Sequence, residues 1–395
     1  MSLSDPVVKH SPIISWTEAG EVRSARWHSE NGMPPPKRVV VADDQMAADR
    51  AYRLACEGTA LLWRGDFQNA RQLLQALARR IDRAPRKPEK IAAAAASAPA
   101  AAPSPNEAFH LHRQAQAQRA RVLAMLLVPI DADYRIPLRR APDVAQACTE
   151  AYGPPDGALV ASLRELQGLI GAHEWRKKGV EIPALGQRIH PHYGVFSPVR
   201  GEYVGLVASA PLPRMTPSLA FDIGTGSAVL AAVLAQRGIA RVIATDQDPR
   251  ALACARENLA RLQLDQQVAL LQTDLFPPGR APLVVCNPPW LPARPNSAIE
   301  HAIYDPDSRM LRGFLDGLAA HLEPGGEGWL ILSDLAEQLA LRPRAELLAM
   351  IDAAGLKVLG RIDVKPQHPK VSDASDRLHA ARAAEMTSLW RLAVA

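Results

Sequence analysis

The sequence lacks the features of a membrane protein, a secreted protein or a zinc protein. In its 395 residues no apolar run approaches the roughly 18 residues that a membrane-spanning helix requires, and residues 1–5 do not begin a secretory pattern. The four cysteines are widely spaced, and two His-x-His pairs, at 110–112 and 190–192, have no Cys, Asp or Glu cluster to complete a metal site. We therefore expect free thiols in a reducing cytoplasm, no metal and no membrane association.

Aromatic residues and net charge are also scarce. Aromatics make up 5% of the residues, and the formal net charge is +5. That charge is small for a chain of this length, so it favours an acidic partner only mildly. The hydrophobic fraction of 48% is typical of a globular protein, and the length suggests two or three domains.

The most informative segment is Asn-Pro-Pro-Trp at residues 287–290, which follows an apolar run. A nucleobase amino group or a carboxamide has a delocalised lone pair, so its nitrogen attacks a methyl group poorly. The side-chain carbonyl of Asn287 and the backbone carbonyl of Pro288 can each accept one N–H and turn the lone pair toward a methyl donor. The two prolines fix the backbone, and Trp290 offers a flat apolar face. The segment thus indicates methylation of a planar nitrogen; a Pro-Pro turn with a core tryptophan is the plainer interpretation.

A glycine turn is predicted upstream, within residues 218–228. This stretch has the pattern of an apolar strand, a turn and the start of an alanine-rich helix. Gly224 and Gly226 let the backbone approach a ligand without a clash from Cβ, and Asp222 at the end of the strand can take a cationic amine. A nicotinamide or flavin dinucleotide fold is the rival interpretation, but its fingerprint requires a glycine where this sequence has Val229.

Two further acids end the next predicted strands. Asp246 is placed to accept both hydroxyls of a ribose, and Asp274 is followed by Leu275, which could wall an adenine. Each acid alone could instead cap a helix or a turn. Because the carboxyl ends of parallel strands meet at one edge of a sheet, where open α/β folds bind ligands, the set together predicts a binding site.

Residues from about 190 to 395 resemble class I S-adenosylmethionine-dependent methyltransferases, in the subgroup with an Asn-Pro-Pro-aromatic motif. They look most similar to the "methyltransferase small domain" proteins and to release-factor glutamine methyltransferases. The resemblance implies S-adenosylmethionine as cofactor and a Rossmann-like seven-stranded α/β sheet with an antiparallel last strand. By the same resemblance, Asp222, Gly224 and Gly226 hold the methionine end of the cofactor. Asp246 holds the ribose and Asp274 meets the adenine amine. Asn287 and Pro288 hold the target nitrogen.

The sequence departs from the family pattern in two places. Ala228 stands where the family usually has a third glycine. Residues 197–203 keep only part of the charged Pro-Arg-Pro-Glu-Thr-Glu segment of the glutamine methyltransferases, which weakens the case for a glutamine substrate.

The N-terminal half carries no motif that we recognise. Arginines recur in its predicted helices while acids are sparse, which favours either phosphate binding or an ordinary solvated face. We predict three segments. Residues 1–43 form an N-terminal arm, and residues 44–185 form a mainly helical, Arg-rich domain with an Ala/Pro-rich insert at 84–106. Residues 186–395 form a methyltransferase domain.

The sequence therefore predicts an N-methyltransferase that acts on a planar amino nitrogen. A nucleobase amino group in RNA or DNA is the favoured acceptor, and a glutamine side chain in a protein is the alternative. A non-catalytic protein that keeps the cofactor as a structural ligand stays possible. The expected catalytic residues are Asn287, Pro288, Pro289 and Trp290, and the expected cofactor-binding residues are Asp222, Gly224, Gly226, Asp246, Asp274 and Leu275.

Overall fold

The computed structural model of the protein forms two compact units, residues 1–101 with 113–173 and residues 102–112 with 174–395. Most of the predicted Ala/Pro-rich insert lies outside the described residues, and the predicted domain bounds at 44 and 186 stay predictions. No helix among the described residues is long and apolar enough to span a bilayer. The structure describes residues 12–83, 103–199, 201–213, 217–295, 298–367, 373 and 376–395.

The first unit is built on a six-stranded mixed sheet in the order β1-β2-β6-β5-β4-β3. β3, β4 and β5 run parallel to one another, whereas β6 is antiparallel to β5. Its core includes Ile14, Trp27, Leu62, Leu127 and Val160. The strands are β1 (Ile13–Glu18), β2 (Glu21–Trp27), β3 (Arg38–Ala42), β4 (Thr59–Trp63), β5 (Leu126–Ile130) and β6 (Leu159–Ser162).

Helices flank this sheet, but the prediction of a mainly helical domain missed the sheet itself. β4 and β6 are buried at every position, so they lack the alternation that distinguishes a strand from a short helical segment. Residues 105–112 of α3 and 174–178 of α5 belong to the second unit. The helices are α1 (Ala48–Cys56), α2 (Phe67–Arg83), α3 (Pro105–Leu123), α4 (Ala145–Tyr152) and α5 (Leu163–Lys178).

The second unit contains the predicted seven-stranded sheet, in the order β11-β10-β9-β12-β13-β15-β14. Its first five strands are parallel, and β15 is antiparallel to both of its neighbours, which confirms the predicted fold class. A small hairpin, β7 (Val180–Ile182) with β8 (Gln187–Ile189), precedes the sheet. The sheet strands are β9 (Leu219–Ile223), β10 (Arg241–Asp246), β11 (Val268–Gln272), β12 (Ala281–Cys286), β13 (Leu322–Ser333), β14 (Leu356–Val364) and β15 (Thr387–Val394).

Apolar residues on both faces of the sheet explain its continuous hydrophobic strands. Leu283 and Val285 of β12 pack into the core that contains α6 and α7, whereas Val284 and Cys286 pack into the core that contains α9 and α11. Successive side chains of a strand point to opposite faces, so four consecutive apolar residues fill two cores. The helices are α6 (Glu202–Ser209), α7 (Val229–Gln236), α8 (Pro249–Arg261), α9 (Arg309–His321), α10 (Leu335–Gln338), α11 (Arg344–Ala353) and α12 (His379–Ala384).

Candidate active site

A cavity of about 850 Å³ opens at the carboxyl ends of β9, β10, β11 and β12. This is the edge at which open α/β sheets bind ligands, and its volume suits a drug-sized molecule. The structure brings together at this cavity all ten residues that the sequence predicts for the site, although their roles stay predictions. They are Asp222, Gly224, Gly226, Asp246, Asp274, Leu275, Asn287, Pro288, Pro289 and Trp290.

Asp222 lies at the end of β9 with only 1% of its surface exposed. Its Oδ2 accepts hydrogen bonds from Thr225 Oγ1 at 2.6 Å and from the backbone N–H of Ala231 at 3.1 Å. Burial raises the pKa of this carboxyl to about 6, because neither partner is a cation. A positively charged ligand group in the cavity would therefore stabilise the ionised form of Asp222.

The glycine turn, residues 224–228, has a left-handed backbone at three positions. Gly224, Gly226 and Ala228 have φ of +72°, +54° and +65°. No atom lies within 4 Å of the place where a Cβ on Gly226 would stand, so the backbone there is open to a ligand. Ala228, the departure from the third glycine of the family, keeps the left-handed conformation at a cost of roughly 1–2 kcal/mol.

Asp246, at the end of β10, fixes the glycine turn as well as lining the cavity. Its two carboxylate oxygens accept the backbone N–H groups of Gly226 and Asp248, each at 3.0 Å. Burial raises the pKa of Asp246 too, against the effect of these hydrogen bonds. Because each carboxylate oxygen has a second lone pair, Asp246 can still accept hydroxyl groups from a ligand.

Asp274 and Leu275 follow β11 along the same edge. Asp274 is half exposed and pairs with Arg309, whose Nη2 lies 2.6 Å from Oδ2. Leu275 has a left-handed backbone, with φ of +68°, and its carbonyl accepts a hydrogen bond from Thr245 Oγ1 at 2.6 Å. Its side chain packs against Gly313 of α9, where a Cβ would stand 2.6 Å from Leu275 Cδ1. Leu275 thus lines the cavity with a left-handed backbone, and its side chain fills the space that the missing side chain of Gly313 leaves on α9.

The Asn-Pro-Pro-Trp loop, residues 287–290, follows β12. The indole Nε1 of Trp290 donates a hydrogen bond to Asn287 Oδ1 at 2.9 Å, which leaves one lone pair of that oxygen for a ligand. Within the described part of the chain, no residue donates a hydrogen bond to the carbonyl of Pro288. Of the two carbonyls that the sequence predicts as acceptors for the target nitrogen, that of Asn287 thus keeps one lone pair for a ligand and that of Pro288 keeps both.

A polar cluster supports the glycine turn from behind. Asn258 of α8 is fully buried; its Nδ2 donates to the carbonyl of Ser227 at 3.2 Å, and its Oδ1 accepts the N–H of His190 at 2.7 Å. The Nε2 atom of His192 lies 2.6 Å from Oε2 of Glu257, within hydrogen-bond distance. Burial opposes the ionisation of Glu257, but hydrogen bonds from Arg261, His192 and Arg176 outweigh it and lower the pKa to about 2. One His-x-His pair thus belongs to this cluster, and the described residues hold no group arranged like metal ligands.

Sequence reasoning missed several residues of the cavity wall because they lie outside any motif. They come from α6 and the segment before it, from the loop between β12 and α9 and the start of α9, and from α12. Arg382 of α12 reaches the cavity from far along the sequence. The missed residues are Phe196, Tyr203, His301, Tyr304, Met310 and Arg382.

Residues 214–288 match a family model described as ribosomal protein L11 methyltransferase (PrmA). The chain is 34% identical over 197 residues to a release factor glutamine methyltransferase of Cereibacter sphaeroides, covering 46% of this chain and 65% of the relative. It is 34% identical over 148 residues to a ribosomal protein L11 methyltransferase of Symbiobacterium thermophilum, covering 37% of this chain and 41% of the relative. The second unit has the fold of a class I methyltransferase domain, and the family match lies within it.

The chain spans about half the length of the curated relatives that it matches. Solved structures similar to it include a methyltransferase of Pyrococcus furiosus, with 18% identity and a TM-score of 0.38, covering 58% of this chain and 98% of that one.

The cavity of the methyltransferase domain fits S-adenosylmethionine, the cofactor of this class. Asp222 is a buried carboxylate without a cationic partner, which suits the ammonium group, and Asp246 keeps lone pairs for ribose hydroxyls. The open backbone at Gly226 lies between them in the sequence and leaves room for the chain that joins these two groups.

Proposed function

We propose that the protein is an S-adenosylmethionine-dependent N-methyltransferase that modifies the side-chain amide of a glutamine in another protein. One observation carries the proposal: the Asn-Pro-Pro-Trp loop and the carboxylates at the strand ends line the same cavity. A methyl donor at the strand ends and a planar amide at the loop would share one enclosed space, which is what direct transfer between them requires.

The donor half of the cavity would hold the cofactor by charge and by hydrogen bonds. When bound, S-adenosylmethionine supplies a methyl group on a positively charged sulfur. Asp222 would pair with its ammonium group and Asp246 with its ribose. Asp274, next to the exposed Arg309, would take the adenine amine, while Leu275 covers the face of the ring.

The acceptor half would align and activate the nitrogen. Asn287 Oδ1 and the carbonyl of Pro288 would accept the two N–H groups of the amide, so the lone pair turns away from its own carbonyl. The nitrogen gains positive charge as the new bond forms, and two fixed carbonyl dipoles stabilise that charge. Trp290 keeps Asn287 oriented and offers its ring to the planar amide.

Two observations favour a protein glutamine over a nucleobase as acceptor. The relatives in the comparison are named for protein substrates, a release factor and ribosomal protein L11. In addition, several arginines that favoured nucleic acid in the sequence contact carboxylates within the first unit, which leaves less free positive charge for phosphate. These pairs are Arg80 with Asp49, Arg119 with Asp82, and Arg139 and Arg140 with Asp66.

Methyl-labelled S-adenosylmethionine, added together with the purified protein to a lysate of cells that lack it, tests the proposal; the same lysate without the purified protein is the blank. We expect label that resists nuclease and is released by protease. Acid hydrolysis of the labelled protein should then yield volatile methylamine, since an N-methyl amide loses its amine when the amide is cleaved. Label released by nuclease would identify a nucleobase acceptor instead. Cofactor binding without any transfer would favour the non-catalytic alternative. We also propose the cytoplasm as the location of the reaction.

A further inference from the structure

Arg342 lies beneath the Asn-Pro-Pro-Trp loop with only 5% of its surface exposed. Its Nη2 donates to the backbone carbonyl of Trp290 at 3.3 Å, and its Nη1 donates to Ser308 Oγ at 3.1 Å. No carboxylate in the described ranges lies close enough for an ion pair with it, and burial lowers its pKa although the charges of Glu346 and Asp305 act in the opposite direction. A buried cation with neutral partners costs folding free energy, so its presence calls for a use.

The first partner leads to the predicted acceptor atom. Arg342 holds the carbonyl of Trp290, and the indole N–H of the same residue holds Asn287 Oδ1 at 2.9 Å. The position of the Asn287 carbonyl therefore depends on Trp290, and the position of Trp290 depends on the guanidinium. This chain of contacts contains two hydrogen bonds, both of them partly buried.

The second partner, Ser308, leads to the start of α9, another part of the cavity wall. Ser308 has a left-handed backbone, with φ of +54°, just before α9. Asp305 caps the same helix, because its carboxylate accepts the N–H groups of Met310 and Leu311 at 3.0 and 3.1 Å. The N–H of Asp305 in turn donates to the carbonyl of Leu291 at 2.8 Å. Arg342 thus joins the loop to the start of α9, which carries Met310 into the cavity wall.

We propose that Arg342 is a positioning residue that orients Asn287 toward the acceptor nitrogen by holding Trp290. The inference rests on the proposed function. Arginine suits this role better than lysine, because its planar fork reaches two acceptors at once in a fixed geometry. Arg342 does not line the cavity, so its removal should leave the binding of cofactor and acceptor almost unchanged.

Kinetics of two variants and a control test the role. Arg342→Met keeps an unbranched apolar stem but removes the guanidinium and every donor, and we expect kcat to fall by on the order of 100-fold, the effect of a small misplacement of a reacting group. KM for the acceptor and the dissociation constant of S-adenosylhomocysteine should not change. Arg342→Lys, with one ammonium group, should recover part of kcat. Arg344→Gln is the matched control, since Arg344 pairs with Glu337 and should leave kcat as it is.

A double-mutant cycle separates positioning from general destabilisation. If Arg342 acts through Asn287, Arg342→Met should cause little further loss of kcat in an Asn287→Ala background. Losses that multiply in the double variant would show that the two residues act independently, and would overturn the proposal.

Hydrogen exchange provides a readout that needs no activity. In Arg342→Met we expect the amides of residues 286–293 and 302–311 to exchange at least about tenfold faster together, while residues 222–231 keep the wild-type rate. Unchanged exchange in the first two segments, or a uniform increase in all three, would overturn the inference. An absence of methyl transfer in the wild type would remove the proposed function, but this exchange experiment would still decide the role of Arg342.

Discussion

At the scale of single residues, the site combines carboxylates that are ready for a cation with carbonyls that are ready for an amide. Asp222 is buried and Asp246 half-buried beside backbone donors, and Asn287 Oδ1 has one engaged lone pair and one for a ligand. Each arrangement is incomplete without a ligand. Three predictions concern these residues.

The raised pKa of Asp222 should make cofactor binding depend on pH. The ligand ammonium prefers the ionised carboxyl, so S-adenosylhomocysteine should bind about tenfold more weakly at pH 5 than at pH 7, given a pKa of about 6 in the free protein. Without ligand the sign reverses: the folded-state pKa of Asp222 lies above the unfolded value of 3.8, so stability falls as pH rises from about 4 to about 6 and is level above that. Calorimetric titration across this range measures the first effect, and Asp222→Asn should abolish it. A slope that persists in Asp222→Asn would belong to another group, such as Asp246.

Asn287→Ala should separate binding from transfer. The variant loses the carbonyl that aligns the acceptor, so we expect methyl transfer to fall by a factor of about 100 or more. Binding of S-adenosylhomocysteine should stay at the wild-type value. Trp290→Phe, which keeps that carbonyl but removes its indole donor, should show a smaller loss. Turnover at the wild-type rate in Asn287→Ala would remove Asn287 from the mechanism.

Asp246→Ala should have the opposite profile. Loss of charged hydrogen bonds to the ribose should weaken cofactor affinity by about 1.5–3 kcal/mol. Because Asp246 also holds Gly226, Asp246→Asn is the necessary control: it keeps a carbonyl acceptor and should lose less. Calorimetry that finds wild-type affinity in Asp246→Ala would contradict the ribose assignment.

At the scale of elements, the shape of the cavity depends on the absence of a side chain at Gly313 of α9. Gly313 has no side chain to fill the place where Leu275 Cδ1 packs, and Leu275 cannot move away from α9 without entering the cavity. Gly317, one turn later on the same helix, has the same relation to Phe276, which is not part of the cavity wall. One helix therefore offers both a test and its control.

Gly313→Ala should weaken cofactor binding without destabilising the domain. Alanine favours the helix by up to about 1 kcal/mol over glycine, but its methyl group would displace Leu275 toward the adenine position. We expect a higher dissociation constant for S-adenosylhomocysteine with an unchanged or higher melting temperature. Gly317→Ala should leave the dissociation constant unchanged. An equal effect of both substitutions on binding would show that Leu275 is not the cause.

The elements also show what the sequence can and cannot predict. The sequence predicts the strands β9 to β12 and their common edge, because each ends in a recognisable residue and a buried parallel strand is uniformly apolar. It does not reveal the six-stranded sheet of the first unit, whose short buried strands have no such markers. Arg342 could not be predicted either, since an arginine in a loop gives no sign that it is buried against a carbonyl 52 positions earlier.

At the scale of the whole molecule, the chain has two compact units with separate sheets and separate apolar cores. The ten predicted site residues and the cavity all belong to the second unit. A ligand that binds there stabilises the unit that contains its site, by about 2.7 kcal/mol at a hundredfold excess over the dissociation constant.

Calorimetry of the full-length protein should therefore show two unfolding transitions. We expect S-adenosylhomocysteine to raise the temperature of one transition and to leave the other unchanged, because only one unit carries the site. Asp246→Ala should remove this shift. A single transition that moves as a whole would show that the two units unfold together.

Trp290 also provides an intrinsic fluorescent probe of the site. Its indole is hydrogen-bonded to Asn287 at the cavity wall, in the place where a planar acceptor should stack. An amide that enters and competes for that carbonyl should change the emission of Trp290, and the difference from Trp290→Phe isolates this signal from the other tryptophans. Candidate acceptor peptides can thus be ranked by fluorescence before any of them is methylated.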